Sequence, residues 1–387
     1  MTIHGDAALP LKFRKLDMAA RRAAMESVYG AKRLELGEFP GSDASLADDM
    51  VESAVGYLPV PLGIAPGFLI DGRSYDIPMA VEEPSVLAAA TFAAQLVRAD
   101  GGFSTWTTEP IMNAQVFLEE VPPGREREIE RRENEIRADL DLFLDSMRRR
   151  GGGYRGLEVA RNAETGLVRV SLRVDVRDAM GANVLNGAAE RAAGALETMS
   201  GGRRLMCILT NDAGERRAGA RFELAAHRLA RGDFSGEETA RRIELAARVA
   251  ETDPTRAITH NKGVMNGISA LALATGNDFR ALEAGVHYWA ARDGRYRGVT
   301  DFRRVGDVLE GKIELPLALG TVGGSIGVHP ATALALRMLR EPDGRGLSRI
   351  AAALGLAQNF AALFALVTEG IQTGHMKLHA RKREKGA

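Results

Sequence analysis

Met112-Asn113-Ala114-Gln115-Val116-Phe117-Leu118-Glu119-Glu120-Val121 and Leu167-Val168-Arg169-Val170-Ser171-Leu172-Arg173-Val174-Asp175-Val176 place apolar side chains at alternate positions, the pattern of strands with one buried face. Working outward, Arg125 to Arg150 reads as a highly charged helix. Leu157 to Arg161 pairs with the second run around a Glu164-Thr165-Gly166 turn. Gly181 to Thr198 is helical and Arg204 to Leu209 is a last strand. The order is β-α-β-β-α-β over residues 111–212, the ferredoxin-like arrangement, and it reads as a small domain inserted into a larger one. The fold class expected is therefore α+β, with residues 1–110 and 213–374 forming a large mixed domain and 375–387 a C-terminal segment.

The flanking sequence supports that division. Pro59, Pro61 and Pro66 forbid a long helix between Leu58 and Gly72. Pro84 opens an Ala-rich helix, Ser85 to Val97, that Gly101 and Gly102 stop. After the insert come a helix around Gly236 to Thr252, a polar, glycine-containing stretch from Thr259 to Gly267, a hairpin ending near Leu315 and two C-terminal helices.

Composition excludes several classes. With 45% apolar and 26% charged residues the chain is globular, and 387 residues suit two or three domains. Lys+Arg and Asp+Glu are both 51, so no global field draws nucleic acid or an anionic membrane. The lone Cys207 forms no internal disulfide and fits a reducing cytoplasm. Lys12, Arg14, Lys15 and Asp17 interrupt any secretory signal core. Ile350 to Thr368 is uncharged and long enough to span a bilayer, but Gly355, Gln358 and Asn359 at its centre favour a buried helix.

Single motifs decide little. Gly151-Gly152-Gly153-Tyr154-Arg155-Gly156 satisfies G-x-G-x-x-G, yet it follows a helix and enters a strand, the reverse of a dinucleotide fingerprint. No Walker A or H-E-x-x-H sequence occurs, and His375 with His379 lacks a third ligand, so no metal is expected. Three stretches carry more. Asp175 to Asn183 runs from strand to helix through Gly181, a place for a phosphate or an ordinary capped start. Thr259 to Gly267 sets Lys262 among amides and glycines, suited to an oxyanion or simply solvated. Thr275-Gly276-Asn277-Asp278 offers a carboxylate that also suits a helix N-cap.

Together these stretches resemble one family, hydroxymethylglutaryl-CoA reductase, in its soluble prokaryotic class II branch. Glu82-Glu83-Pro84-Ser85, Val322-Gly323-Gly324, Gly355-Leu356-Ala357-Gln358-Asn359 and Thr368 to Met376 extend the resemblance from about Leu11 to Arg381. It implies two hydride transfers that interconvert hydroxymethylglutaryl-CoA with mevalonate and CoA, using NADPH or NADH. It also implies a cytoplasmic homodimer with the site at the subunit interface.

By the same resemblance Lys262 stabilises the oxyanion, Glu83 protonates the carbonyl oxygen, Asp278 couples to both, and His375 protonates departing thiolate. Ser85, Arg256, Asn266 and Gln358 match substrate contacts; Asp178, Met180, Gly181 and Asn183 match the cofactor loop. Met147-Arg148-Arg149-Arg150 inclines the choice toward NADPH, since arginines favour a 2′-phosphate. Ser53, after Glu52, stands where the family usually carries asparagine. Members of this branch also continue into a C-terminal flap, which is expected to be absent or shortened here. Two other classes compete: a non-catalytic acyl-CoA-binding relative, which would lack one of the four catalytic residues, and a thioester hydrolase, which would need a nucleophile and base not seen here.

Overall fold

In the computed structural model, residues 9–10, 13–32, 50, 52–55, 57–324 and 326–370 are described. Helix α1 (Met18–Tyr29) precedes a hairpin of β1 (Leu62–Ile70) and β2 (Arg73–Ala80). Asp71 and Gly72, with φ of 49° and 76°, make its turn, the left-handed pair that matches strand twist. Register slips between Ala65 and Phe68, so Pro66 sits in a bulge, where a missing N–H does no harm. Helix α2 (Pro84–Arg98) follows, then β3 (Ser104–Thr107).

The chain next builds β4 (Ile111–Glu119), three short helices α3 (Glu126–Arg131), α4 (Glu133–Phe143) and α5 (Asp145–Arg149), β5 (Gly153–Arg161), β6 (Val168–Asp175), α6 (Ala182–Ser200) and β7 (Arg203–Leu209). The sheet is antiparallel with order β5-β6-β4-β7, which is the ferredoxin-like order. One cluster fills it: Met112, Ala114, Val116 and Leu118 of β4 alternate inward against Ile136, Leu140, Leu185 and Leu196. The expected single helix over Arg125–Arg150 is broken at Arg132 and Leu144, whose backbones leave helical geometry.

β8 (Arg217–Ala225) then pairs with β3, in a second sheet of order β3-β8-β10-β9. The chain thus leaves and re-enters this second sheet on adjacent strands. Helices α7 (Gly236–Thr252), α8 (Pro254–Ala274) and α9 (Phe279–Ala290) lead to β9 (Thr300–Val305), β10 (Val308–Pro316), α10 (Pro330–Met338) and α11 (Gly344–Val367). The apolar C-terminal segment is indeed a buried helix: α11 packs on α2, α8 and β8, with Phe360 meeting Phe222 at 5.1 Å between ring centroids.

The polar stretch Thr259 to Gly267 forms the middle of the 21-residue α8. Gly267 serves packing: a Cβ there would lie 3.1 Å from Leu354 Cγ and 3.3 Å from Gln358 Cβ of α11, so helix propensity yields to close approach.

Candidate functional site

Glu83 caps α2. Its carboxylate accepts from the Ser85 hydroxyl at 2.9 Å and weakly from the Ser85 amide at 3.4 Å, so both residues share one helix N-terminus. Asp278 caps α9 in the same way, accepting from the Arg280 and Ala281 amides at 3.0 and 3.2 Å, and it pairs with the Arg280 side chain at 3.4 Å.

Lys262 lies on the exposed side of α8 and, among the described residues, makes no hydrogen bond or ion pair. Asn266, one turn on, is half-buried on the same face, and Arg256 is half-buried in the first turn. No hydrogen bond or ion pair joins Lys262 to Glu83 or Asp278 among the described residues, although α2 and α9 both pack on α8.

The opposite side of α8 is locked by polar groups. His260 Nε2 lies 2.6 Å from the Thr300 hydroxyl, which donates to Asn359 Oδ1 at 2.8 Å; Asn359 Nδ2 in turn donates to the His260 carbonyl at 3.1 Å. Asn261 donates to the Arg297 carbonyl and accepts from the Val299 amide. Because the Thr300 proton goes to Asn359, His260 must carry its own proton on Nε2, leaving Nδ1 as the buried, unpaired atom. Burial, with the nearby Arg256 charge second, pushes the imidazole down to about 4. Gln358 is also buried, and its side-chain oxygen has no partner among the described residues.

The Asp178–Asn183 stretch lies elsewhere, at the end of β6. Gly181 takes φ 107° at the N-cap of α6 and, among the described residues, no side chain caps that helix, which leaves its first-turn amides open there, with Asn183 exposed among them. The Asp178 carboxylate is engaged, accepting from the Gly344 amide at 3.0 Å; the Asp178 carbonyl accepts from the Thr321 amide at 2.8 Å. Met180 is half-buried against Gly320. Asn277, beside Asp278, exchanges hydrogen bonds with both backbone groups of Gly320 at 2.8 and 3.0 Å. The Thr275–Asp278 turn and the Asp178–Gly181 turn thus clasp one segment from opposite sides.

Arg216 is buried although it stands in Glu215-Arg216-Arg217, a run that reads as solvated charge in which nothing local marks the middle residue. His375 lies outside the described residues. Among the described residues no group of three or more His, Cys, Asp or Glu could hold a metal ion.

A family model for hydroxymethylglutaryl-coenzyme A reductase matches residues 17–380. A 3-hydroxy-3-methylglutaryl-coenzyme A reductase of Archaeoglobus fulgidus is 46% identical over 358 residues, which cover 88% of this chain and 78% of that protein. A probable enzyme of the same name from Borreliella burgdorferi is 38% identical over 335 residues, covering 86% and 77%. The class II reductase of Streptococcus pneumoniae bound to NADPH in open conformations superposes with a TM-score of 0.87 at 38% identity, covering 92% of this chain and 99% of that one. With the match running over nearly the whole length, the chain belongs to the hydroxymethylglutaryl-coenzyme A reductase family.

Proposed function

We infer that this chain reduces the thioester of hydroxymethylglutaryl-CoA, releasing mevalonate and CoA at the cost of two reduced nicotinamides. The larger unit, 1–110 with 213–374, takes the acyl-CoA; the insert, 111–212, takes the dinucleotide; and the C-terminal segment, 375–387, carries His375. The observation that carries this reading is Lys262, a cation without an ionic partner among the described residues, mounted on a helix whose other face is locked.

The open first-turn amides of α6 suit a dinucleotide's diphosphate, since free N–H groups and the helix dipole both favour an anion. Asp178, Met180, Gly181 and Asn183 would hold it. When bound, the reduced nicotinamide supplies hydride. Everything else falls to the chain. Lys262 stabilises negative charge on the thioester oxygen. Glu83, kept in place by Ser85, delivers a proton to the carbonyl oxygen in the aldehyde stage. Asp278 tunes both through the field at the α9 N-terminus, and His375 protonates the departing thiolate. Arg256 offers its fork to the acyl carboxylate, while Ser85, Asn266 and Gln358 serve its polar oxygens.

NADPH is the preferred donor. Arg148, Arg149 and Arg150 are exposed at the end of α5, and the Gly151-Gly152 turn after them packs against Asp175 and Arg177, just ahead of the cofactor turn. The enzyme works as a homodimer in the cytoplasm, with the site completed across the interface; Val55 and Leu58, 103% and 94% exposed, are apolar surface that a second subunit would cover.

Neither a binding protein nor a hydrolase would oxidise the cofactor. The test follows loss of reduced-nicotinamide absorbance alongside CoA release with hydroxymethylglutaryl-CoA. Lys262→Ala abolishes both while the far-UV dichroism stays unchanged. CoA release without cofactor oxidation overturns the assignment, and a kcat/KM for NADH above that for NADPH overturns the preference.

A further inference from the structure

Arg216 is 4% exposed, a guanidinium enclosed where the insert meets the larger unit. One nitrogen, Nη1, donates to the Ala179 carbonyl at 2.9 Å and to the Met180 carbonyl at 3.4 Å; Nη2 donates to the Leu319 carbonyl. Desolvation pushes it down to about 10, with Asp178 and Asp175 opposing that shift, so it remains a cation at neutral pH. A buried charge persists only when its field and donors are answered. Here backbone carbonyls of two separate segments answer them.

The same two segments touch without an intervening side chain. A Cβ at Gly320 would run into the Met180 amide nitrogen and sit 3.1 Å from the Asp178 carbonyl oxygen. Gly320 is held from the other side by Asn277, the neighbour of Asp278. A continuous polar path therefore runs from the α6 N-terminus through Arg216 and Gly320 to the turn carrying Asp278.

We propose that Arg216 is a positioning residue for the dinucleotide: its planar fork holds the Asp178–Gly181 turn against Leu319-Gly320 and so fixes the anion-accepting end of α6 relative to the Asp278 turn. This rests on the reading that the turn binds the cofactor. Shape matters as much as charge, because a lysine ammonium keeps the charge but lacks the rigid fork that reaches carbonyls in two directions.

The test uses the full chain with NADPH alone, titrated calorimetrically into wild type, Arg216→Lys, Arg216→Met and Gly320→Ala. The dissociation constant rises about ten-fold or more in each folded variant. KM for hydroxymethylglutaryl-CoA stays within about two-fold, because neither Arg216 nor Gly320 is among the residues assigned to the acyl group. Amide exchange quickens across residues 178–184 and not across α8. If Arg216→Met does not fold, Arg216→Lys and Gly320→Ala decide. An unchanged NADPH affinity in folded Arg216→Lys overturns the proposal, and so does parallel weakening toward both ligands, which signals general damage. A wild type that binds neither NADPH nor NADH overturns the cofactor assignment itself.

Discussion

His260 makes the structure testable by acid. Its ring is 1% exposed, its Nε2 proton is committed to Thr300, and Nδ1 faces no acceptor, so a second proton would create an unanswered buried charge near Arg256. The folded value of about 4 lies below the ordinary 6.5. As pH falls through 6.5 the unfolded chain therefore takes the proton first, and stability drops until the folded imidazole titrates near 4. The full loss is about 3 kcal/mol, and about 2 kcal/mol of it is reached by pH 5. Other groups also titrate there, so the measurement is a difference. Urea unfolding is followed at pH 8 and pH 5 for wild type and His260→Gln, whose amide can donate to Thr300 but cannot titrate. Wild type should lose about 2 kcal/mol more than the variant between the two conditions. Equal losses would refute the tautomer, the burial argument and the shift together.

Two further outcomes are expected. Gly219→Ala in β8 drives a methyl group into the indole of Trp106 and breaks its 2.8 Å bond to Glu314; it costs about 2–3 kcal/mol in urea unfolding, and shortening Trp106 to Ala in the same chain recovers part of it. Asp145 pairs with Arg149 at 2.5 Å and Arg148 at 3.6 Å, so Asp145→Asn frees both for a 2′-phosphate: KM for NADPH falls, by no more than about five-fold since exposed pairs are worth under about 1 kcal/mol, while an equal fall for NADH would show that the arginines do not read that phosphate.

The legible parts of the fold are those written in local periodicity. Met112 to Val121 and Leu167 to Val176 alternate because one face of each strand is buried, and that alone yields the small sheet. Asp278 is legible as a cap, since a carboxylate ahead of an apolar run has few other uses. What stayed hidden depends on partners far along the chain. Gly267, mid-helix in α8, makes sense only once α11 is laid against it, and Gly355 of α11 answers in kind: a Cβ there would be 2.7 Å from Ile268 Cδ1. His260, Asn261 and Asn359 look like site polarity in sequence and prove to be the bolts of α8. Arg216 is the converse, a residue that reads as surface and is buried.

These bolts explain why an exposed lysine can be a precise one, but not why it would be a strong one. A unit charge 4 Å from an ammonium gains about 1 kcal/mol in bulk water and about 4 kcal/mol at an effective dielectric of 20. The difference, about 3 kcal/mol, is a factor of roughly a hundred in rate. Lys262 in the single described chain is on the wet side of that comparison. Locking α8 through His260, Asn261 and Asn359 fixes direction and spares reorganisation when charge develops, yet it removes no water. Dryness must be added by something laid over the exposed face of α8. On the proposed reading a second subunit is the element that qualifies, so the oxyanion contact reaches its full strength only in the assembled dimer.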